Sequence, residues 1–375
     1  FEKMPQQCLH YSTSKGSIAT LVVVLTPQDD HLKGIDRMGK SLAGLSNFGR
    51  IKVWAIACFA AALYFGSVPM AHGQLAVDPD LKPYKVAPGV SGQIKSVGSD
   101  SMNPLMLLWT EKFKTYYKGV RTEVEGQGSS KAMPALIEGA ASFGPMSRDA
   151  KSNEIADFEK KFGYKPMMIP TAIDLLAVYV HRDNPINEVS LPQLDSVFSS
   201  TRKLGGDAID KWGQLGLTGE YESGAIAMFG RNAASGTYGF FKEKVLGNGD
   251  YRELVNEQPG STAVIQSVGE NKFAIGYSGV GFKTSAVKAL SLSAKPGEKA
   301  FAPNAENAYS GDYPLARYLY LAINHKPGTK LDPVRREFIR FIFSKEGQEI
   351  VAKEGSYPLD AATAAKALKM LDIAQ

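Results

Sequence analysis

The chain has 375 residues, 44% of them hydrophobic and 22% charged, which excludes a disordered or low-complexity protein and suffices for one large domain or two ordinary ones with real cores. The formal net charge is +5, but residues 1–73 hold 7 of the 43 Lys and Arg and 4 of the 38 Asp and Glu, leaving 36 against 34 beyond Gly73. That near-neutral remainder carries no basic patch interleaved with aromatics, and so gives no reason to propose a nucleic-acid partner.

The first element in chain order reads as an export signal. Lys40, Arg50 and Lys52 precede an uncharged run from Val53 to Val68, and small residues follow at Ala71 and Gly73. A basic region, a short apolar region and a small-x-small site are the marks of a cleavable signal peptide. A membrane anchor needs roughly 20 apolar residues, more than this run supplies. Met38 is a suitable start for such a signal, and residues 1–37 stand ahead of it as an extension. Both cysteines, Cys8 and Cys58, precede the expected cut. The exported chain is thus expected to be periplasmic and to fold without disulfides. Residues 74–89, with Pro79, Pro83 and Pro88, read as a linker.

From Gln93 onward the pattern alternates strand, polar turn and helix. Strands are expected at Gln93–Val97, Val120–Val124, Ala141–Gly144, Ala172–Val180, Ala225–Phe229, Lys272–Tyr277 and Tyr318–Ile323. Helices are expected through Leu105–Tyr116, Ala132–Glu138, Asn153–Phe162, Tyr238–Val245 and Pro333–Ala352. This alternation predicts an α/β architecture with largely parallel sheets. Ligands in such sheets bind where strands end and helices begin.

Four of those turns share one chemistry. They are Gly98-Ser99-Asp100-Ser101-Met102-Asn103-Pro104, Gly126-Gln127-Gly128-Ser129-Ser130, Phe143-Gly144-Pro145-Met146-Ser147-Arg148, and Arg231-Asn232-Ala233-Ala234-Ser235-Gly236-Thr237. Glycine admits close backbone approach, the first helical turn offers unpaired N–H groups and a positive dipole end, and hydroxyls add donors. Arginine adds a planar, charged fork suited to oxyanions. For any one serine before a helix, N-capping is the simpler account. Arg-x-x-x-Ser-Gly-Thr asks for more than a cap. A nucleotide P-loop is excluded by the missing Gly-Lys-Ser/Thr.

With these turns in this order, together with Ala274-Ile275-Gly276-Tyr277, the chain from about Gly92 to Gln375 resembles the periplasmic substrate-binding component of phosphate ABC transporters. The resemblance implies a type II periplasmic-binding fold of two lobes, each a mostly parallel sheet flanked by helices, with two crossover strands as the hinge. Lobe I is then expected at 90–179 plus 316–375 and lobe II at 180–315. It implies inorganic phosphate held by Ser101 with the Met102 amide, Ser129, and Ser147 or Arg148 on one side, and by Arg231, Ser235, Gly236 and Thr237 on the other. It also implies an ABC transporter permease in the inner membrane as partner. A monomer is expected, because docking on a transporter needs a free lobe surface.

The chain departs from the family at two points. Many members carry an aspartate in the third turn and another just before Ser-Gly-Thr, where this chain has Ser147-Arg148 and Ala233. An ionised carboxylate only accepts hydrogen bonds, so it favours a protonated phosphate over sulfate. Asp100, or else Asp149, is the candidate to supply that acceptor here, with N-capping as the competing role for each.

No catalytic residue, metal site or cofactor is expected. Beyond Gly73 the only histidines are His181 and His325, each next to an expected crossover strand and read as structural. Metal hydrolases want clusters of His, Asp and Glu, and no Gly-x-Ser-x-Gly elbow occurs. The competing readings are a receptor for a sulfate-like oxyanion, an exported phosphatase, and a surface or adhesion protein. Anion-dependent stabilisation, ester hydrolysis sensitive to chelators, or neither, would distinguish them.

Overall fold

The computed structural model describes Leu75 and residues 77–373. The expected signal peptide and the extension before it lie outside the described residues.

The first elements among the described residues are β1 (Gly92–Val97), α1 (Asn103–Tyr116) and β2 (Val120–Glu125). The two strands pair in parallel from Gly92↔Val120 to Val97↔Glu125, so the chain must cross over between them, and α1 is that crossover. Pro104 sits in its first turn, where no N–H is needed. Leu105, Met106, Trp109 and Phe113 recur at helical spacing and are buried. Next come α2 (Ala132–Ile137), β3 (Gly144–Met146), α3 (Ser152–Phe162) and the 15-residue β4 (Met167–His181). The strand expected at Ala141–Gly144 starts only at its last residue. The amides of Ala140 and Ala141 both turn back to the Ala135 carbonyl and close the end of α2.

The second half is built from β5 (Glu188–Ser190), α4 (Leu191–Phe198), β6 (Ala227–Arg231), α5 (Gly236–Lys244), β7 (Asn256–Gln258), α6 (Ser261–Glu270), β8 (Ala274–Gly279), β9 (Val287–Ala289), β10 (Ser291–Ser293) and α7 (Ala305–Ser310). The chain then returns through β11 (Ala316–Ile323) to α8 (Pro333–Ile342), α9 (Lys345–Glu354) and α10 (Ala361–Lys369). The single helix expected over Pro333–Ala352 is therefore two. Ser344 accepts from the Gly347 amide and caps α9, while the Gln348 side chain takes the Ile342 carbonyl at the end of α8. Gly347 lies so close to α8 that a Cβ on it would stand 2.1 Å from the Phe341 carbonyl oxygen.

Among the described residues the main sheet has seven strands, in the order β3-β11-β4-β8-β6-β7, with β9 on the far end of β4. It is mixed, where largely parallel sheets were expected. β6 runs parallel to β7 and β8, but β4 is antiparallel to β8 and β11, and β11 to β3. The reason is topological: the chain crosses between lobes once in each direction, so its two crossover strands must oppose each other.

Two large apolar cores flank this crossover. One joins Trp109, Phe113, Phe143, Ala172, Leu319 and Phe338. The other joins Leu175, Phe198, Trp212, Phe241, Tyr277 and Leu315. Ile173 packs against both, so along β4 the packing changes ahead of the expected boundary at 179. Along β11 it changes between Ala316 and Leu319.

The segment 77–89 is irregular, as its prolines suggest, yet it does not run free of the fold. Leu81 is buried, the Tyr84 ring packs edge-on to Phe341, and the Tyr84 amide donates to Glu346. Among the described residues no helix is long and apolar enough to cross a membrane.

Candidate functional site

Three turns of the first lobe are fastened to one another by their backbones. After β1, Gly98 abuts the turn that follows Phe143: a Cβ on Gly98 would lie 2.2 Å from the Pro145 carbonyl oxygen, and the Ser99 amide donates to that same oxygen at 2.7 Å. The Gly128 amide donates to the Gly98 carbonyl at 2.7 Å, and Gly128 takes φ +99°, which favours glycine. This lacing brings Ser101, Ser129 and Ser147 together as buried hydroxyls. The Ser147 amide donates to Ser129 Oγ at 3.1 Å, and the two hydroxyls are 3.4 Å apart.

The second lobe brings an arginine and a helix N-terminus to the same place. β6 ends on Arg231, and Ser235 caps α5 by accepting from the Thr237 and Tyr238 amides at 3.1 and 3.4 Å. Arg231 is 1% exposed. Its Nη1 stands 3.1 Å from Asp100 Oδ2 and donates to Ser261 Oγ at 2.7 Å, while Nη2 donates to the Pro259 carbonyl at 3.1 Å. Burial pulls its pKa down, and the Asp100 carboxylate opposes that pull.

The two lobes meet at these residues. Ser101 Oγ and Thr237 Oγ1 are 2.8 Å apart, and the Ser130 amide donates to the Ala234 carbonyl at 3.2 Å. Gly236 faces the serine pair closely enough that a Cβ would lie 2.2 Å from Ser129 Oγ and 2.6 Å from Ser147 Oγ.

The structure therefore brings Ser101, Ser129, Ser147, Arg231, Ser235, Gly236 and Thr237 into one cluster. Arg148 is placed differently. Its Nη1 and Nη2 bind Glu154 at 2.8 and 2.6 Å, and Nη1 also donates to the Asp149 carbonyl, so its fork is spent on the start of α3. The Met102 side chain lies in the core and its amide donates to the Ser99 carbonyl at 3.3 Å. Asp100 caps a helix, but not the one it precedes: its Oδ2 accepts from the amide of Ser261, the first residue of α6 in the other lobe. Asp149 is exposed; burial, with the Asp149 charge adding to it, raises the pKa of Tyr320. His181 closes β4 beside Asp183, and burial lowers the pKa of His325.

Three residues were missed by sequence reasoning. Ser261 sits in a turn with no motif, Pro259-Gly260-Ser261. Asp174 was read only as part of the apolar strand Ala172–Val180, and Arg317 fell just before the expected strand Tyr318–Ile323. They pair directly across β4 and β11, with Arg317 Nε and Nη2 donating to Asp174 Oδ2 at 2.9 and 2.7 Å. A lone carboxylate and a lone guanidinium in two otherwise apolar strands were the available signal.

The hydrogen bonds fix what this cluster can do. Ser129 accepts from a backbone amide, Ser235 accepts from two, Thr237 accepts from Arg317 and Ser261 accepts from Arg231. Each of these hydroxyls thus has an oxygen lone pair engaged and its proton available for donation. Such a convergent set of donors, held beside a paired arginine and a helix N-terminus, suits an oxyanion rich in acceptor atoms. Ser235 has no histidine among its hydrogen-bond partners, and no group of three or more His, Cys, Asp or Glu able to hold a metal ion occurs among the described residues.

Known proteins share this sequence and fold. The PBP superfamily domain matches residues 85–346. The phosphate-binding protein PstS of Pseudomonas aeruginosa is 47% identical over 316 residues, which cover 84% of this chain and 98% of that protein. A Clostridium perfringens chain described as a phosphate ABC transporter substrate-binding protein, solved with bound phosphate, superposes with a TM-score of 0.61 at 26% identity, covering 72% of this chain and all of that one. An ABC-type phosphate transport receptor from Vibrio cholerae shares the fold, with a TM-score of 0.56 at 22% identity over 71% of this chain and all of that one. The chain belongs to the periplasmic-binding-protein superfamily and, within it, to the family of phosphate-binding proteins that serve phosphate ABC transporters.

Proposed function

We propose that the chain captures inorganic phosphate between its two lobes and delivers it to an ABC transporter, with no catalytic step of its own. One observation carries this reading at the level of residues: hydroxyls from both lobes converge as donors around Gly236, beside an arginine held by Asp100. The bound anion would take its hydrogen bonds from Ser101, Ser129 and Ser147 on one side, and from Arg231, Ser235, the Gly236 amide and Thr237 on the other. Arg148 and the Met102 amide are left out of this set, because both are engaged elsewhere.

In this reading β4 and β11 are the hinge, since the two cores part along them, and closure brings α5 onto the serine turns. Asp100 is the carboxylate at the site, and its second oxygen is the acceptor for a protonated phosphate. Export to the periplasm, a permease partner and a monomeric state complete the proposal. They are supported by the signal-like run before Gly73 and by the membership of the family.

The test is calorimetric. The full chain is freed of bound anion by partial unfolding and dialysis, then titrated with phosphate alone and with excess sulfate. One-to-one phosphate binding that survives sulfate is the expected result. Binding abolished by sulfate keeps the oxyanion site but makes the protein a receptor for a sulfate-like anion. Absence of binding to either overturns the proposal.

A further inference from the structure

Arg317 touches both halves of the site without belonging to either set of turns. It stands on β11, is buried, and reaches four neighbours. Nε and Nη2 donate to Asp174 Oδ2 on β4, Nη1 donates to the Ser147 carbonyl at 2.9 Å, and Nη2 donates to Thr237 Oγ1 at 3.1 Å. Its guanidinium also lies 5.3 Å from the centre of the Phe240 ring, one helical turn beyond Thr237 on α5. Ser147 comes from the first lobe and Thr237 from the second, so a guanidinium on the crossover strand holds one residue of each.

The polarity of these contacts is fixed, because arginine can only donate. Thr237 Oγ1 must accept from it, and the Thr237 proton is left to point away from Arg317. Ser101 Oγ lies 2.8 Å from Thr237 Oγ1 on one side and 3.4 Å from Ser261 Oγ on the other. Ser261 Oγ in turn accepts from Arg231. Three hydroxyls in a row, Thr237, Ser101 and Ser261, are therefore capped at each end by an arginine. Each outer hydroxyl has its oxygen engaged by an arginine and its proton free to donate away from that arginine. Asp174 balances the charge of Arg317 as Asp100 balances that of Arg231.

We propose that Arg317 is a positioning residue of the anion site, acting through Thr237: it fixes the Thr237 hydroxyl as a donor and ties that hydroxyl to the Ser147 turn when the lobes are closed. This rests on the phosphate reading above. A lysine at 317 would carry the charge but could not span Asp174, Ser147 and Thr237 with planar, fixed donors. The proposal also accounts for a buried ion pair on a hinge, where two apolar side chains would pack as well.

The test is a double-mutant cycle on phosphate affinity. Removing Arg317 alone leaves Asp174 buried and unpaired, so the pair is removed together as Asp174→Asn with Arg317→Met. The wild type, this paired variant, Thr237→Val, and the combination of all three substitutions are titrated with inorganic phosphate, and their unliganded melting is recorded. The paired variant and Thr237→Val are each expected to weaken binding about tenfold or more. The combination is expected to be no more than about threefold weaker than Thr237→Val, because neighbours that act as a unit are not additive. Losses that multiply overturn the proposal, as does a paired variant whose affinity stays within about twofold of wild type. Should the paired variant fail to fold, Arg317→Lys is measured in the same cycle with the same expectations. A merely structural role would lower the melting temperature and multiply with Thr237→Val. A wild-type chain that binds no phosphate overturns the site reading and this proposal with it, whereas multiplying losses in a phosphate-binding protein overturn this proposal alone.

Discussion

At Gly236 the site leaves no room for a side chain. Its missing Cβ is what allows α5 to approach Ser129 and Ser147 of the opposite lobe. Gly236→Ala is therefore expected to weaken phosphate binding by at least tenfold and, because its Cβ meets the serines only when the lobes are closed, to leave unliganded melting unchanged. Calorimetry paired with a melting curve checks both halves. Arg231 makes the complementary case, because its contribution is charge. A charge-assisted hydrogen bond is worth about 1.5–3 kcal/mol. Arg231→Gln is expected to cost phosphate affinity by at least that much, and a loss of less than about threefold would remove Arg231 from the site. At this scale the sequence was informative wherever a turn carried its own chemistry, as in Arg231–Thr237. It was uninformative for Ser261, whose part depends on Asp100 and Arg231 reaching it from elsewhere. It was silent at Arg148, because no local pattern reveals that Glu154 binds the guanidinium.

Among elements, the caps separate stability from binding. Ser235 caps α5 at the site, and Ser344 caps α9 well away from the anion-binding turns in the chain. Each cap is worth about 1 kcal/mol. Ser344→Ala is expected to lower unfolding stability by that amount and leave phosphate affinity unchanged, whereas Ser235→Ala is expected to lower both. Denaturant titration with calorimetry distinguishes them. The end of α9 also carries a titrating group. Burial, with the Asp174 charge adding to it, raises the Glu354 pKa from 4.5 to about 8, against an opposing hydrogen bond from Ser356 Oγ at 2.8 Å. Its place in the last residue of a helix disfavours a negative charge as well. Between pH 4.5 and about 8 the folded state holds a proton that the unfolded state has lost. This group's contribution to stability is therefore full below pH 4.5, falls as pH rises through that window, and levels off above it. Glu354→Gln is expected to flatten that fall, and denaturation at several pH values measures it. The elements themselves were legible from period and composition. Their exact ends were set by contacts, as where Ser344, Gly347 and Gln348 split one amphipathic run into α8 and α9.

For the whole molecule, closure and stability are linked through the ligand. Phosphate at a hundredfold excess over its Kd is expected to stabilise the folded chain by about 2.7 kcal/mol, visible as a concentration-dependent rise in melting temperature. A melting temperature indifferent to phosphate would contradict a site built between the lobes. The two cores part along β4 and β11, and the Arg317–Asp174 pair lies across those same strands. Binding at the turns is thereby connected to the part of the fold that must bend.

The sequence by itself determined the α/β class, the two apolar strands that the family resemblance assigns as crossovers, and the four turns whose glycines and hydroxyls favour an anion, because these depend on period, backbone freedom and side-chain chemistry within a few residues. Only the tertiary structure decided which of those groups face one another. It sent Arg148 to Glu154, Asp100 to the start of α6, and Arg317 to Thr237, since partners separated by 161 residues in one of these cases and 80 in another are chosen by packing and not by local pattern. The direction of the strands belongs to the same class, because two crossings between lobes oblige β4 and β11 to run opposite ways, whatever their residues.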